Sequence, residues 1–214
     1  MTTTFPLLTQ ARRMPLVAIL RGLTPAEAAD IGNALYESGF RALEVPLNRP
    51  GAIECIGLLT RALPADALVG GGTMLTVTDV DAVHGAGGRL MVSPNCHVGV
   101  IAHAASLGML CAPGVATPTE AFAALQAGAH ALKLFPADMV GHGGLKALNS
   151  VLPAGTDFWP VGGVTPETMA PWVKAGATGF GIGSQLFSPG ATVDQVRQKA
   201  QAYMNAWTAC QRPA

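Results

Sequence analysis

Charge is scarce in this chain. Of 214 residues only 12% are charged, and thirteen basic side chains balance thirteen acidic ones. No basic field exists to draw nucleic acid, and no polybasic segment marks a membrane surface, so the expected ligand is a small molecule. The apolar runs are of strand length, far short of a membrane-spanning helix. The N-terminus lacks the charged start and apolar core of a secretory signal, and a cytoplasmic protein is expected. The four cysteines (Cys55, Cys96, Cys111 and Cys210) form no CxxC pair. They read as reduced thiols, two of them packed in the core. The five histidines make no HxxxH pair, and none ends an apolar run beside a second ligand, so no metal site is expected.

What the chain does have is one unit repeated eight times. Short apolar runs at 16–21, 42–47, 68–73, 89–94, 109–114, 131–136, 157–162 and 179–184 begin about 20 to 27 residues apart, the length of one strand plus one helix. They are nearly continuous in apolar residues, as parallel strands covered on both faces must be. A glycine (39, 87, 108, 128, 176) precedes five of the runs, where a left-handed helix cap costs no Cβ clash. Thr24-Pro25, Thr117-Pro118 and Thr165-Pro166 read as helix starts, with capping boxes at Thr24…Glu27 and Thr117…Glu120. Eight such units predict a single-domain (β/α)8 TIM barrel over residues 1–214, with a short N-terminal helix within residues 2–13 closing its bottom. An open doubly wound sheet is the alternative. Arg21-Gly22-Leu23-Thr24 follows the first run where a dinucleotide-binding protein would carry its glycine fingerprint.

Barrel chemistry belongs at the C-terminal ends of the strands, and that filter leaves a short list. Lys133 is the one lysine of four inside an apolar run, Ala131–Pro136. Desolvation there disfavours the ammonium, and a neutral amine is a nucleophile for carbonyl carbon. Glu44 is the one carboxylate deep in an apolar run, Ala42–Leu47. Alternation turns Leu43, Val45, Leu132 and Leu134 toward the helices and Glu44 and Lys133 toward the barrel axis. The alternative for the two is a structural buried ion pair. Arg21 ends the first run with a fork suited to a carboxylate. Thr73 follows three glycines that leave space beside a ligand. Ser93-Pro94-Asn95 ends the fourth run. Gly162-Gly163 and Gly183-Ser184 end the seventh and eighth, where this fold recurrently binds phosphate. His142 is placed in a glycine loop, 141–144.

Arg21-Gly, Glu44-Val-Pro-Leu-Asn48, Gly70-Gly-Gly-Thr73, Ser93-Pro94, Ala112-Pro113-Gly114, Lys133-Leu-Phe135-Pro136-Ala137 and Val161-Gly-Gly-Val164-Thr-Pro stand in one register from about residue 14 to 205. In this they resemble the 2-keto-3-deoxy-6-phosphogluconate (KDPG) aldolase family. Gluconate-type members resemble Glu-Val-Thr-Leu-Arg at the second motif and carry threonine before the paired glycines. Pro46, Asn48 and Val161 here resemble the branch acting on the galactonate epimer (KDPGal). The resemblance implies a cofactor-free class I aldolase, a homotrimer, whose substrate is a phosphorylated keto-acid. In it Lys133 forms the imine and Glu44 moves protons. Arg21 and Thr73 hold the carboxylate, and Gly162, Gly163, Gly183 and Ser184 hold the phosphate. Pro94 and Phe135 pack against the substrate. A gluconate-specific or dual-specificity aldolase is the nearest alternative. A phosphosugar isomerase would use the glycines but needs no strand-buried lysine. A non-catalytic sugar-phosphate binder would leave Glu44 and Lys133 as an unexplained cost.

Overall fold

The computed structural model describes residues 5–211; residues 1–4 and 212–214, the ends of the expected domain, lie outside it. Among the described residues, nine parallel strand segments are separated by helices except where the sixth follows the fifth directly. Six of them, β1 (Leu16–Ile19), β2 (Ala42–Pro46), β3 (Leu68–Gly72), β4 (Leu90–Val92), β5 (Leu110–Ala112) and β9 (Phe180–Ile182), form one sheet in the order β5-β4-β3-β2-β1-β9. The other three, β6 (Gly114–Val115), β7 (Leu132–Leu134) and β8 (Phe158–Pro160), form a second. Segments β5 and β6 are two halves of one barrel stave, parted by Pro113, which has no N–H to donate to the ladder. The Pro113 carbonyl still accepts from Lys133 N at 2.9 Å. A single bridge, Val161 to Gly181, joins β8 to β9 and closes the circle. The (β/α)8 expectation therefore holds, with the fifth run split in two.

Strand alternation produces two apolar shells. Leu43, Val45, Leu132 and Leu134 point outward into the layer packed under the helices. Val17, Ala42, Leu68, Leu90, Val92, Leu110, Ala112 and Trp159 fill the barrel interior. Helix α1 (Pro6–Arg13) lies on that inner cluster through Ala11, Leu7 and Leu8, at the end where the strands begin. Arg12 fixes it there, its Nε donating to the buried Asp157 Oδ2 at 2.8 Å. The expected helix thus forms, and the part of it at residues 2–4 lies outside the described residues. Cys55 and Cys111 are the two buried thiols.

Two local expectations need correction. Residues 141–144 are not a free loop. They belong to α7 (Ala137–Val151), which kinks at Gly141 (φ 68°, ψ 173°), and His142 packs on the Trp172 ring with centroids 4.2 Å apart. The helix expected at Thr24-Pro25 starts later, as α2 (Ala28–Glu37). Glu27 still closes half of the capping box, its Oε1 accepting from Thr24 N at 2.8 Å, but across a turn. At Thr117 the full box forms and starts α6 (Pro118–Gln126).

The interior tolerates little added volume where strands β3 and β4 meet. A Cβ on Gly70 would lie 1.9 Å from the Leu90 carbonyl oxygen, a backbone atom that can move only with its strand. Gly70→Ala is therefore expected to destabilise the fold by about 2–3 kcal/mol or more. The urea midpoint reads this, and an unchanged midpoint would show that the two strands can part freely.

Candidate active site

The site begins with two ionisable side chains that strand alternation forces indoors. Glu44, on β2, is 2% exposed, and Lys133, on β7, is 7% exposed. Both line a cavity of about 10 Å³ in the barrel mouth, together with Ile19, Val92, Ala112, Trp159, Val161 and Gly181. That volume holds about one water. The Glu44 carboxylate fits only because Gly72, on β3 two residues past its partner in register Gly70, has no side chain: a Cβ on Gly72 would stand 1.7 Å from Oε2. Glu44 Oε2 is buried with no hydrogen-bond partner, and so is the indole Nε1 of Trp159, the residue paired in register with Lys133.

Burial sets the proton affinities. It pushes the Glu44 carboxyl up to about 7, while the positive charges of Lys133 and Arg21 partly oppose it. Burial also pulls the Lys133 ammonium below its ordinary value; Glu44 opposes this and Arg21 adds to it. The outcome is a carboxyl that can give or take a proton near neutrality beside an amine inclined to be neutral. The Lys133 Nζ also stands 4.8 Å from the centroid of the Phe135 ring, which covers it on one side.

Ile19, Val161 and Gly181 line both the small cavity and a neighbouring cleft of about 260 Å³. Arg21, Gly162, Gly163, Gly183 and Ser184 line it, with Gln185, Ser188 and Pro189. Gly162 (φ 114°) and Gly163 (φ 65°) take conformations that other residues rarely adopt. A Cβ on Gly163 would stand 2.7 Å from Asp138 Oδ1, at the start of α7. Arg21 lies two residues past β1, exposed, with its Nη1 donating to Asn48 Oδ1 at 3.1 Å.

Seven of the ten sequence-predicted residues thus line the two cavities. Phe135 joins them through its contact with Lys133. Thr73 and Pro94 line neither. Thr73 is half-buried directly after Gly72 and is the one non-glycine with positive φ (54°) among the described residues, strain of the kind found at functional sites. The carbonyl of Pro94 lies where a Cβ on Gly114 would fall, 2.4 Å away, at the split stave. The Arg21–Asn48 bond and the part played by Trp159 escaped the sequence reading. An arginine and an asparagine 27 residues apart carry no local signal, and a tryptophan in a strand reads as core.

The raised Glu44 value is also a statement about stability. A buried carboxyl that binds its proton more tightly than in the unfolded chain stabilises below the unfolded value, and that contribution is lost as pH rises through about 7. Glu44→Gln is uncharged at every pH. Its stability relative to the parent is expected to rise between pH 4.5 and pH 8, by on the order of 3 kcal/mol at most. Urea unfolding at the two pH values measures it, and a constant difference would mean that Glu44 ionises as freely as in water.

Known proteins are similar to this chain in sequence and fold. A family model described as KDPG and KHG aldolase matches residues 7–201. The 2-dehydro-3-deoxy-6-phosphogalactonate aldolase of Escherichia coli (strain K12) is 46% identical over 195 residues, 91% of this chain and 95% of that protein. A probable enzyme of the same name from Rhizobium meliloti (strain 1021) is 47% identical, over 91% of this chain and 92% of its own length. A solved structure described as native KDPGal superposes with a TM-score of 0.91 at 45% identity, covering 92% of this chain and 96% of that one. With a family model spanning nearly the whole barrel and relatives this close, the chain belongs to the KDPG and KHG aldolase family.

Proposed function

We propose that this protein is a class I aldolase that cleaves 2-dehydro-3-deoxy-6-phosphogalactonate to pyruvate and D-glyceraldehyde 3-phosphate. The observation that carries the reading is the burial of Glu44 and Lys133 in one small cavity that shares a wall with a glycine-lined cleft. The galactonate epimer is favoured because the relatives at 46–47% identity bear that name.

The neutral Lys133 amine attacks the C2 ketone, and loss of water from the carbinolamine leaves an imine. The protonated imine is an electron sink. When Glu44 takes the proton of the C4 hydroxyl, the C3–C4 bond breaks, the aldehyde leaves and the electron pair passes into an enamine. Protonation of C3 and hydrolysis of the imine release pyruvate and restore Lys133. Gly162, Gly163, Gly183 and Ser184 hold the phosphate in the cleft. Arg21 and Thr73 serve the carboxylate end, Phe135 screens the imine from water, and Pro94 supports the rim. No cofactor enters this scheme. The whole chain is read as one barrel domain, acting in the cytoplasm; no helix among the described residues is long and apolar enough to cross a membrane.

The protein is further proposed to act as a homotrimer. Leu75, Val77, Val98 and Phe122 are exposed apolar side chains that a subunit interface would cover. Light scattering should give three times the chain's 21.9 kDa, and a monomer mass would remove this part of the reading.

Borohydride reduction in the presence of pyruvate, followed by peptide mass spectrometry, is expected to find a reduced adduct on Lys133. Lys133→Ala should form no adduct and turn over neither C4 epimer. Glu44→Gln should lower kcat by at least ~10²-fold, the scale of general acid–base catalysis. An unmodified Lys133 in folded protein would sink the imine mechanism. Equal cleavage of both epimers would make the enzyme dual-specific.

A further inference from the structure

The bond between Arg21 and Asn48 is the feature of the site that the mechanism above does not use. Strands β1 and β2 are paired in register, Ile19 beside Glu44. Arg21 lies two residues past that pair, beyond the end of β1, and Asn48 four past it, beyond the end of β2, so both reach the same rim. Arg21 Nη1 donates to Asn48 Oδ1 at 3.1 Å, and both residues are exposed. A guanidinium only donates, so the amide must present its carbonyl oxygen to it.

An exposed arginine on a flexible stem has many rotamers to lose, and a fixed acceptor selects one. The chemistry of that acceptor sets how much of the arginine's charge is left for the site. An aspartate at position 48 would bind the guanidinium more strongly but would cancel its charge. A neutral amide holds it and leaves the charge, and most of the five donors, available to the cleft. The Arg21 charge is felt inside the barrel, where it favours the carboxylate at Glu44 and the free amine at Lys133. These are the forms required of a base and a nucleophile. The charged groups that bear on Glu44 are Lys133 from β7 and Arg21 from the loop after β1. Arg49, the residue after Asn48, lines a different groove with Glu54 and Asp79, between α3 (Ala52–Ala62) and α4 (Val77–Gly85).

We infer that Asn48 is a positioning residue for this reaction: its neutral carbonyl holds the Arg21 guanidinium over the cleft with its charge intact, and so sets the field acting on the anionic substrate and on the Glu44–Lys133 pair. Asn48 acts through Arg21 and touches no reacting atom. The inference rests on the aldolase reading above.

The test is the pH profile of kcat/KM for cleavage of the phosphorylated keto-acid by the parent, Asn48→Gln, Asn48→Ala and Asn48→Asp. Cancelling or freeing the Arg21 charge raises the proton affinity of both Glu44 and Lys133. The acid limb should therefore move to higher pH in Asn48→Asp and, less far, in Asn48→Ala. Each should lose about tenfold in kcat/KM at neutral pH, the scale of a hydrogen bond to a charged group. Asn48→Gln keeps a neutral carbonyl and should stay near the parent in both respects. The position is exposed, so the variants should fold, and circular dichroism checks that they do. Loss of rate with an unmoved acid limb in both Asn48→Ala and Asn48→Asp would reduce Asn48 to a structural contact and overturn the inference. Pyruvate trapping on Lys133 of the parent separates the two levels. A parent that forms no adduct fails as an aldolase, whereas a parent that traps pyruvate beside variants with superimposed profiles fails only at Asn48.

Discussion

Desolvation of Glu44 and Lys133 is the constraint on which the rest of the site depends. In water the carboxylate would be a weak base and the amine would stay protonated, unable to attack a carbonyl. The barrel removes the water, and it can do so because the inner shell around the pair is apolar: Val17, Ile19, Val92, Ala112, Trp159 and Val161. Burial of this kind costs stability, and the fold offsets it with a continuous outer shell of leucine, isoleucine and valine beneath the helices.

Glycine makes that burial geometrically possible. Gly72 yields the space that the Glu44 carboxylate occupies, Gly181 lies where a Cβ would meet Val161 Cγ2 at 2.6 Å, and Gly70 lets β3 and β4 approach. Each removes a side chain from the barrel lumen at the level where chemistry needs room. Further out, Gly162 and Gly163 shape the wall of the open cleft. A single gradient therefore runs from the dry pair to the wet rim.

Two features at the rim work against any picture of the site as a rigid funnel of backbone. Thr73 holds a left-handed conformation without being glycine, directly beside the cradle of the Glu44 carboxylate. Arg21 donates to a single amide acceptor, Asn48, in the turn after β2. One is a strained backbone position and the other a side-chain hydrogen bond, both laid over a fold that already fixes the buried pair. That division fits barrels generally, where strands carry the chemistry and loops adjust what enters.

The sequence alone determined the parts of this protein that obey local rules. Period-two alternation sent Glu44 and Lys133 inward and Leu43, Val45, Leu132 and Leu134 outward, and the repeat of run, helix and capping glycine specified the barrel. These follow from steric rules acting within a few residues. The tertiary structure decided the rest. Pro113, with no N–H for the ladder, splits a stave whose two halves pair in different sheets, β5 with β4 and β6 with β7. Residues 141–144 join a kinked helix because α7 packs on α8 (Met169–Ala175), where His142 meets Trp172. Arg21 shares a cleft with Gly162 and Ser184, and a hydrogen bond with Asn48, because closure of the barrel sets β1 between β2 and β9. Such meetings depend on which strands become neighbours, and no window of sequence contains that information.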